Sequence, residues 1–599
     1  MNESAVTRRS RALKRFAVLL LIVFGSFFAF SAVRSPVPGI NEPHYLCKAK
    51  HFWEPNWCAG DFFLDSSNPH LCFYWTIGWL THVLPLSWAA WVGRLLGLSV
   101  LASGWVFFLQ TLHSERRLVV WTSWTYLLMA ACGNFSGEWL VGGIEAKVIA
   151  YGLAFWALGF WLRKAPRVAA LCAGLALSFH QVVGAWFVIC GTLVVGLEVW
   201  VRRLPGSLNQ PTEPTTEATK KQTLPELPAG HLKSDRLLFQ RLARFGVDSW
   251  KTAGQLVVLF LLGALPGLVV GFRLLLQGDP QLQFTANYIQ VFYRLRHHLD
   301  PNRFKISSYI GYGVLLVCWG AAVGGAVLFQ PKTHSQRKRL FPFLKFSTHV
   351  RRWEQMWFYW LVVASFLVVL VGLAVGLGPP PTARTTWQAV RMSVLKLYPF
   401  RLFDALLPLA AACVLSEAVA SWLCRPSNSP PGQETQKRLR TWNVVAWTTF
   451  AGFYVVSLLL PAPDKNPSRM PPSELNAWLA ACRWVKEHAP SRALVLTPTH
   501  SWAFKWYAQR AEYVCFKDCP QDPKGIVEWN QRLLFLRKWA QEHYADQLYS
   551  KEEVRELCRR TGVNFILVKR LGPFALQPVY RNEFFRIYDV SDLTDSPSP

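Results

Sequence analysis

The sequence predicts a polytopic membrane protein, mainly α-helical with about eleven spans, carrying a small α/β domain at its C-terminus. Three observations predict it. Of its 599 residues, 52% are hydrophobic and only 17% are charged, against about 25% charged in a soluble domain. Apolar residues come in long runs, such as FAVLLLIVFGSFFAF (Phe16–Phe30) and FLVVLVGLAVGLG (Phe366–Gly378), and a spanning helix needs roughly 20 of them. From about residue 464 that character ends, and short alternating strand and helix patterns replace it.

Apolar runs place the spans at about 16–33, 88–110, 118–133, 148–162, 168–182, 184–200, 252–276, 306–329, 357–378, 401–423 and 442–460. The first follows MNESAVTRRSRALKR. It is too long for a signal h-region and lacks a small-x-small cleavage site before Arg34, so an uncleaved first span is expected. The 29 Trp and 17 Tyr suit a protein with two lipid–water interfaces to anchor. The stretch 168–200 holds His180 in its middle and reads as two short helices. A single long helix there would invert everything downstream.

The net charge is +28, carried by Lys and Arg in loops beside the apolar runs. With the N-terminus cytoplasmic, the dense basic clusters fall on one side: Arg8, Arg9, Arg11, Lys14 and Arg15; Arg116 and Arg117; Arg163, Lys164 and Arg167; Arg202 and Arg203; Arg337, Lys338, Arg339, Arg351 and Arg352; Lys437, Arg438 and Arg440. That is the positive-inside pattern, with contacts to anionic lipid head groups rather than to nucleic acid. A soluble enzyme or nucleic-acid binder is excluded by the apolar content. The expected location is a plasma (inner) membrane, with the C-terminal domain extracytoplasmic. Two polar, Pro-rich linkers, about 204–234 and 425–440, read as disordered and cytoplasmic.

The transmembrane domain is thus expected over 1–460 and the soluble domain over 464–599. In the latter, Glu474–His488, Gly525–His543 and Lys551–Thr561 read as helices. Arg492–Thr497, Asn564–Lys569 and Phe584–Val590 read as strands. The cysteines show no metal-ligand spacing. Cys47, Cys58 and Cys72, and the pair Cys515 and Cys519, have disulfides open to them if they lie outside, with the pairing unassigned.

Polar residues that spans do not explain collect on the outer side. The first outer loop, about 34–87, contains GINEPHYLCKAKHFWEPNWCAGDFFLDSSNPH, with Glu42, His44, Asp61 and His70. A loop that long is usually functional or internally structured. GNFSGEWLVGGIEAK brings Glu138, Glu145 and Lys147. His180 marks a break in apolar sequence. YRLRHHLDPN brings Arg294, His297 and His298, and KLYPFRLFD brings Lys396, Arg401 and Asp404. Ionisable groups near membrane depth are costly and tend to line polar cavities. If these loops converge, a carboxylate can take the proton of an acceptor hydroxyl while Arg and Lys hold a phosphate.

Blander readings stand beside these. Asp61 precedes an aromatic run as an N-cap would. His180 fits a satisfied polar residue between helices as well as a ligand contact. The adjacent histidines do not share a helix face, and no metal site is expected beyond the possibility of a divalent ion. Arg401 fits an interfacial anchor, and Arg510, Lys517 and Asp518 fit a solvated surface.

Many spans, a long acidic first outer loop, further polar loops on the same side and an extracytoplasmic α/β domain resemble the GT-C superfamily of membrane glycosyltransferases. The segments NEPHYLCKAKHFW, GEWLVGGIEAKVIAYG, YRLRHHLDP and LYPFRLFDALLPL are also similar to those of an uncharacterised family of bacterial membrane proteins, a similarity that implies no activity. The first loop lacks the Asp-Asp or Asp-Glu pair of protein mannosyltransferases, and the chain lacks a WWDYG-like motif. The GT-C resemblance implies inverting transfer of a hexosyl or pentosyl group from a polyprenyl-phosphate-linked sugar to a glycan, lipid or protein acceptor. It implies a catalytic carboxylate in the first outer loop, Glu42 or second Asp61, and donor-phosphate contacts from Arg294, His297, His298, Lys396 and Arg401. Glu42→Gln is then expected to stop transfer without disturbing folding. The alternatives are a transporter of solute or lipid-linked sugar and a non-catalytic envelope assembly protein. A transporter predicts inverted repeats and polar residues buried mid-span, and the spans read as nearly free of charge.

Overall fold

An apolar chain in hydrocarbon satisfies its peptide groups only within the segment, so each long apolar run folds as a helix. The computed structural model describes residues 2–203, 250–276, 279–328, 353–423, 433–544 and 546–593. Its long helices are Asn2–Arg34, Leu86–Leu112, Arg116–Cys132, Ala146–Leu162, Pro166–Phe179, Gln181–Arg203, Trp250–Leu276, Ile306–Leu328, Trp353–Gly376, Arg401–Leu423 and Gln433–Leu459. They fall on the expected apolar runs. Among the described residues, eight helices are long and apolar enough to cross a membrane, and the chain is a multi-pass membrane protein. The linker expected at 204–234 and the basic residues Arg337, Lys338, Arg339, Arg351 and Arg352 lie outside the described residues. The end of the second linker, from Gln433, is helix instead.

The chain bends sharply at His180, which has extended backbone between two helices. A Cβ on Gly184 would lie 2.2 Å from Leu177 Cα, whereas seven residues along one straight helix span about 10 Å. Residues 166–203 are therefore two helices that turn back on one another. Elsewhere helices meet through small residues, as is usual in membranes. A Cβ on Gly104 would lie 2.2 Å from Gly152 O, and one on Gly174 2.2 Å from Phe260 O. The bundle centre is aromatic, with the Trp105 ring 4.8 Å from Tyr126 and 5.1 Å from Phe155.

The first outer loop is structured, with a helix over Glu42–Trp53 and short helical turns at Leu71–Trp75 and Leu80–Val83. At the C-terminus five strands form one mixed sheet: β1 (Leu494–Leu496), β2 (Ala511–Glu512), β3 (Phe565–Val568), β4 (Tyr580–Arg581) and β5 (Arg586–Asp589). Their order is β2-β1-β3-β5-β4, parallel across the first three and antiparallel beyond. Side chains alternate across a strand. Phe565 and Leu567 thus pack with Trp478 and Val485 of the Pro472–His488 helix. Ile566 and Val568 pack with Trp529 and Leu557 of the Pro523–Glu542 and Lys551–Thr561 helices. The last of these helices begins with a capping box between Ser550 and Glu553. Cys47, Cys58, Cys72, Cys515 and Cys519 are all free, buried thiols.

Candidate functional site

One end of the bundle encloses a cavity of about 1050 Å³. Arg34, Cys132, Glu145, His180, Ser307, Arg401 and Pro461 line it, so it lies where helix ends meet that alternate along the chain. Part of the lining is apolar, with Phe30, Leu127, Met129, Phe135, Tyr312 and Leu315, and part is charged, with Glu145, Lys147, Arg294, Arg401, Asp464 and Lys517.

The turn between Cys132 and Ala146 reaches into the cavity because it is pinned from two sides. Asp404, one turn into the Arg401–Leu423 helix, accepts from Phe135 N, Ser136 N and Glu138 N at 2.6, 2.9 and 3.0 Å. On the other side His298 Nδ1 donates to Ser136 O at 2.5 Å. Gly137 sits between, with φ +87°, and a Cβ there would lie 2.3 Å from the His298 ring. Only glycine tolerates both conditions. Burial, with His297 adding to it, pushes the His298 imidazole down to about 3, so the ring is neutral and its Nε2 accepts rather than donates.

An ionic network joins several of the charged groups. Arg401 Nε lies 2.9 Å from Glu138, and Lys147 Nζ lies 3.7 Å from Glu138 and 3.5 Å from Glu145. Lys147 also stands 3.9 Å over the Trp139 ring. Arg401 Nη1 donates to His180 Nε2 at 3.3 Å, so the break at His180 serves the site. Asn41 bridges two partners: its amide donates to Glu145 at 2.7 Å and its carbonyl accepts from Lys517 Nζ at 2.5 Å. Glu145 and Asp464 are the carboxylates that line the cavity among the described residues. Burial, and then the charge of Glu145, push Asp464 above the usual carboxylate range.

Neither expected catalytic carboxylate lines this cavity. Glu42 is fully buried and paired with Arg94 at 2.7 and 2.8 Å, and it also accepts from Gly39 N and Ile144 N. Arg94 in turn donates to Ser35 O at 2.6 Å, so the pair clamps the end of the first span to the Leu86–Leu112 helix. The carboxylate expected as the base thus accepts from four internal donors. Asp61 is also fully buried, accepting from Phe63 N and Leu64 N as a local cap and from Glu512 N across the chain. It too is taken up by internal donors. Lys48, also in the first loop, is buried on the carbonyls of Phe63, Leu64 and Ser66.

The other expected site residues divide. His44, His180, Arg294, His297, His298, Glu145, Lys147 and Arg401 line the cavity. Glu138 stands behind it, holding Arg401. His70 and Lys396 do not line it. His70 packs 5.6 Å from the His180 ring, and Lys396 ends the Thr386–Lys396 helix, where burial lowers its affinity for a proton. Sequence reasoning missed Asn41, Asp464, Lys517 and Arg94. Arg94 was visible as a charge inside an apolar run, contrary to the reading of nearly charge-free spans. Lys517 and Asp518 were read as solvated surface, yet Lys517 lines the cavity.

Asp518 belongs to a buried cluster that joins the C-terminal unit to the first loop. Lys505 Nζ lies 2.7 Å from Asp518, 2.8 Å from Glu512 and 3.5 Å from Asp61, and His44 Nδ1 lies 3.0 Å from Asp518. Glu512, Cys515 and Asp518 have ligand atoms within 4.8 Å of one another, and the Lys505 ammonium is bonded to the two carboxylates of that group. Lys505 and His44 hold the Asp518 carboxyl well below its usual range despite burial. Because its folded value is depressed, Asp518 contributes stability above its unfolded pKa, and that contribution is lost as pH falls through the folded value. In Lys505→Met the carboxylates lose their counter-charge, an uncompensated burial worth about 3–5 kcal/mol. Melting of this variant is expected to fall markedly at pH 7 and to recover partly toward pH 5, where carboxyls protonate. A melting temperature equal to the parent's at pH 7 would show that the cluster does not hold the two parts together.

A protein-family profile described as a domain of unknown function (DUF6798) matches residues 476–535. No curated protein matches the chain. Two solved structures are similar to it over nearly their whole length. ArnT from Cupriavidus metallidurans bound to undecaprenyl phosphate is 12% identical, with 98% of this chain and 99% of that chain covered and a TM-score of 0.47. ArnT from the same organism in the apo state is 13% identical, with 99% and 100% covered and a TM-score of 0.45.

Proposed function

We propose that this chain is a membrane glycosyltransferase of the GT-C kind, transferring a sugar from a polyprenyl-phosphate-linked donor to an acceptor on the extracytoplasmic face, with the N-terminus cytoplasmic. The observation that carries the reading is the cavity's mixed lining. A lipid-linked phosphosugar has an apolar tail and an anionic head. Phe30, Leu127, Phe135 and Leu315 suit the tail, and Arg294, Lys147, Arg401 and Lys517 suit the head.

Glu145 takes the place expected of Glu42. It lines the cavity, and its recorded partners are the Asn41 amide and the Lys147 ammonium. In the proposed step the acceptor oxygen attacks the anomeric carbon from the face opposite the phosphate, and its proton passes to Glu145. The bond between the anomeric carbon and the phosphate oxygen breaks, and its electron pair leaves with the polyprenyl phosphate. That phosphate gains one negative charge, which the cations stabilise. No step needs a redox partner.

The test uses the purified full chain in lipid nanodiscs. It is supplied with polyprenyl-phosphate-linked sugars and an envelope extract as acceptor, and free polyprenyl phosphate is measured. Release that requires both donor and extract is the expected result. No release with any hexosyl or pentosyl donor would remove the reading and leave the transporter or assembly role.

A further inference from the structure

The helices Arg401–Leu423 and Gln433–Leu459 reach the cavity at Arg401 and, just past Leu459, at Pro461. Leu423 and Gln433 therefore lie at the opposite end of the bundle. Both helices pack along Arg116–Cys132, but they meet one another only briefly. Between them runs a groove of about 210 Å³, with Leu415, Val419, Trp422, Trp442, Val445 and Phe453 among its lining. Its floor is closed by Phe450, which stacks on the buried Trp121 of the third helix at 4.6 Å, with Ala420 and Ala446 beside them. Thr449 also lines the groove, and its hydroxyl is spent on Val445 O of its own helix at 2.9 Å.

The mouth of the groove carries the marks of a lipid–water boundary. Trp422 and Trp442 stand edge to face there, their centroids 4.7 Å apart, and both are half-exposed. Tryptophan gathers at that depth of a bilayer. Cations lie just beyond. Arg117 Nη1 donates to Asn443 at 2.6 Å, which sets the start of the third helix beside Trp442. Its neighbour Arg116 is exposed, as is Arg440 two residues before Trp442, and neither forms an ion pair among the described residues. From Trp442 the groove follows its helix to Phe453, about 16 Å of helix. That is close to half the roughly 30 Å thickness of bilayer hydrocarbon.

We propose that this groove binds one anionic phospholipid, with an acyl chain along it and the phosphate at Arg116 and Arg440. The groove has the direction of an acyl chain and the length of one leaflet. A partner helix, about 10–12 Å across, does not fit into it and would leave both arginines without an anion. Each cation near the membrane surface adds to the attraction for an anionic head group, so a zwitterionic lipid is held less tightly. A lipid that fills the gap between two helices binds the folded bundle alone, and so stabilises it. The site is separate from the cavity and stands whatever the cavity binds.

The experiment titrates the full chain, purified in detergent and washed free of lipid, with dioleoylphosphatidylglycerol, and in a second arm with dioleoylphosphatidylcholine. Native mass spectrometry counts bound lipid, and melting is followed in parallel. The expected result is one tightly bound phosphatidylglycerol per chain, held about 30-fold more tightly than phosphatidylcholine, the worth of two interfacial cations, with a raised melting temperature. Arg116→Gln combined with Arg440→Gln is expected to remove that preference and leave phosphatidylcholine binding unchanged. Thr449→Trp, which fills the groove, is expected to lose the lipid-dependent rise in melting. Val317→Trp, on the exposed face of the Ile306–Leu328 helix, is expected to keep it. Equal affinity of the parent for the two lipids would overturn the head-group assignment. Parent-like phosphatidylglycerol binding by Thr449→Trp would overturn the groove. A lipid-free dimer of the parent that Thr449→Trp dissociates would give the groove to a second copy of the chain instead. Arg116 and Arg440 are exposed, so their double variant decides even if Thr449→Trp misfolds: parent-like phosphatidylglycerol binding by it would overturn the site.

Discussion

Replacing Glu145 with Gln is expected to lower transfer by about 10²–10⁴-fold, the usual contribution of a positioned general base, with the protein still folded. The amide keeps the shape of the carboxylate and an oxygen for Asn41, and Lys147 keeps Glu138 at 3.7 Å. The variant should therefore melt close to the parent and bind lipid phosphate normally while turnover collapses. Asp464→Asn is the informative companion. Asp464 also lines the cavity, with burial and then the charge of Glu145 raising its affinity for a proton, but it is Glu145 that bonds to Asn41 and pairs with Lys147. Its loss is expected to cost less than that of Glu145. If Glu145→Gln turns over like the parent and Asp464→Asn does not, the proton goes to Asp464. If both turn over normally, the cavity contains no base for this reaction.

The second large effect is structural. Arg94→Ala strips the counter-charge from a fully buried carboxylate and removes the donor to Ser35 O. Breaking one half of a buried ion pair costs about 3–5 kcal/mol, much of the stability of an ordinary protein. Glu42→Ala is expected to do the same from the other side, leaving Arg94, Gly39 N and Ile144 N without their acceptor. Folded yield and melting temperature in detergent measure both. A double replacement of Glu42 and Arg94 by apolar residues should recover part of the loss, because no lone charge remains buried. Normal melting of Glu42→Ala together with lost transfer would reverse this assignment and return Glu42 to the chemistry.

The two effects separate what each acidic residue shows locally from what its partners make of it. Glu42 and Asp61 sit in the loop where a catalytic carboxylate is expected, and both are acidic residues among aromatics. Nothing within either segment shows that Arg94, 52 residues on, or Glu512, 451 residues on, claims it. Asp61 as a local cap was legible, because its donors Phe63 and Leu64 are two and three residues away. The grouping of Glu145, Lys147, His180, Arg294 and Arg401 was legible through shared sidedness, since parity places their helix ends together. Lys517 was not, because a lysine in a soluble segment carries no mark of a cavity built largely by other elements. The strands β1, β3 and β5 were legible as apolar runs. The two-residue strands β2 and β4 exist only through pairing with their neighbours.

The sequence by itself determined that the chain lies in a membrane, where its helices run, that it breaks at His180 and that a mixed α/β unit follows. Each of these depends on length, apolar content and spacing within a few tens of residues, and hydrocarbon leaves such segments no alternative to helix. Only the tertiary structure decided which charges are spent and which are left over. A carboxylate or ammonium in low dielectric is governed by whatever lies within a few ångströms of it. For Asn41 and Lys517 that neighbour is 476 residues away along the chain.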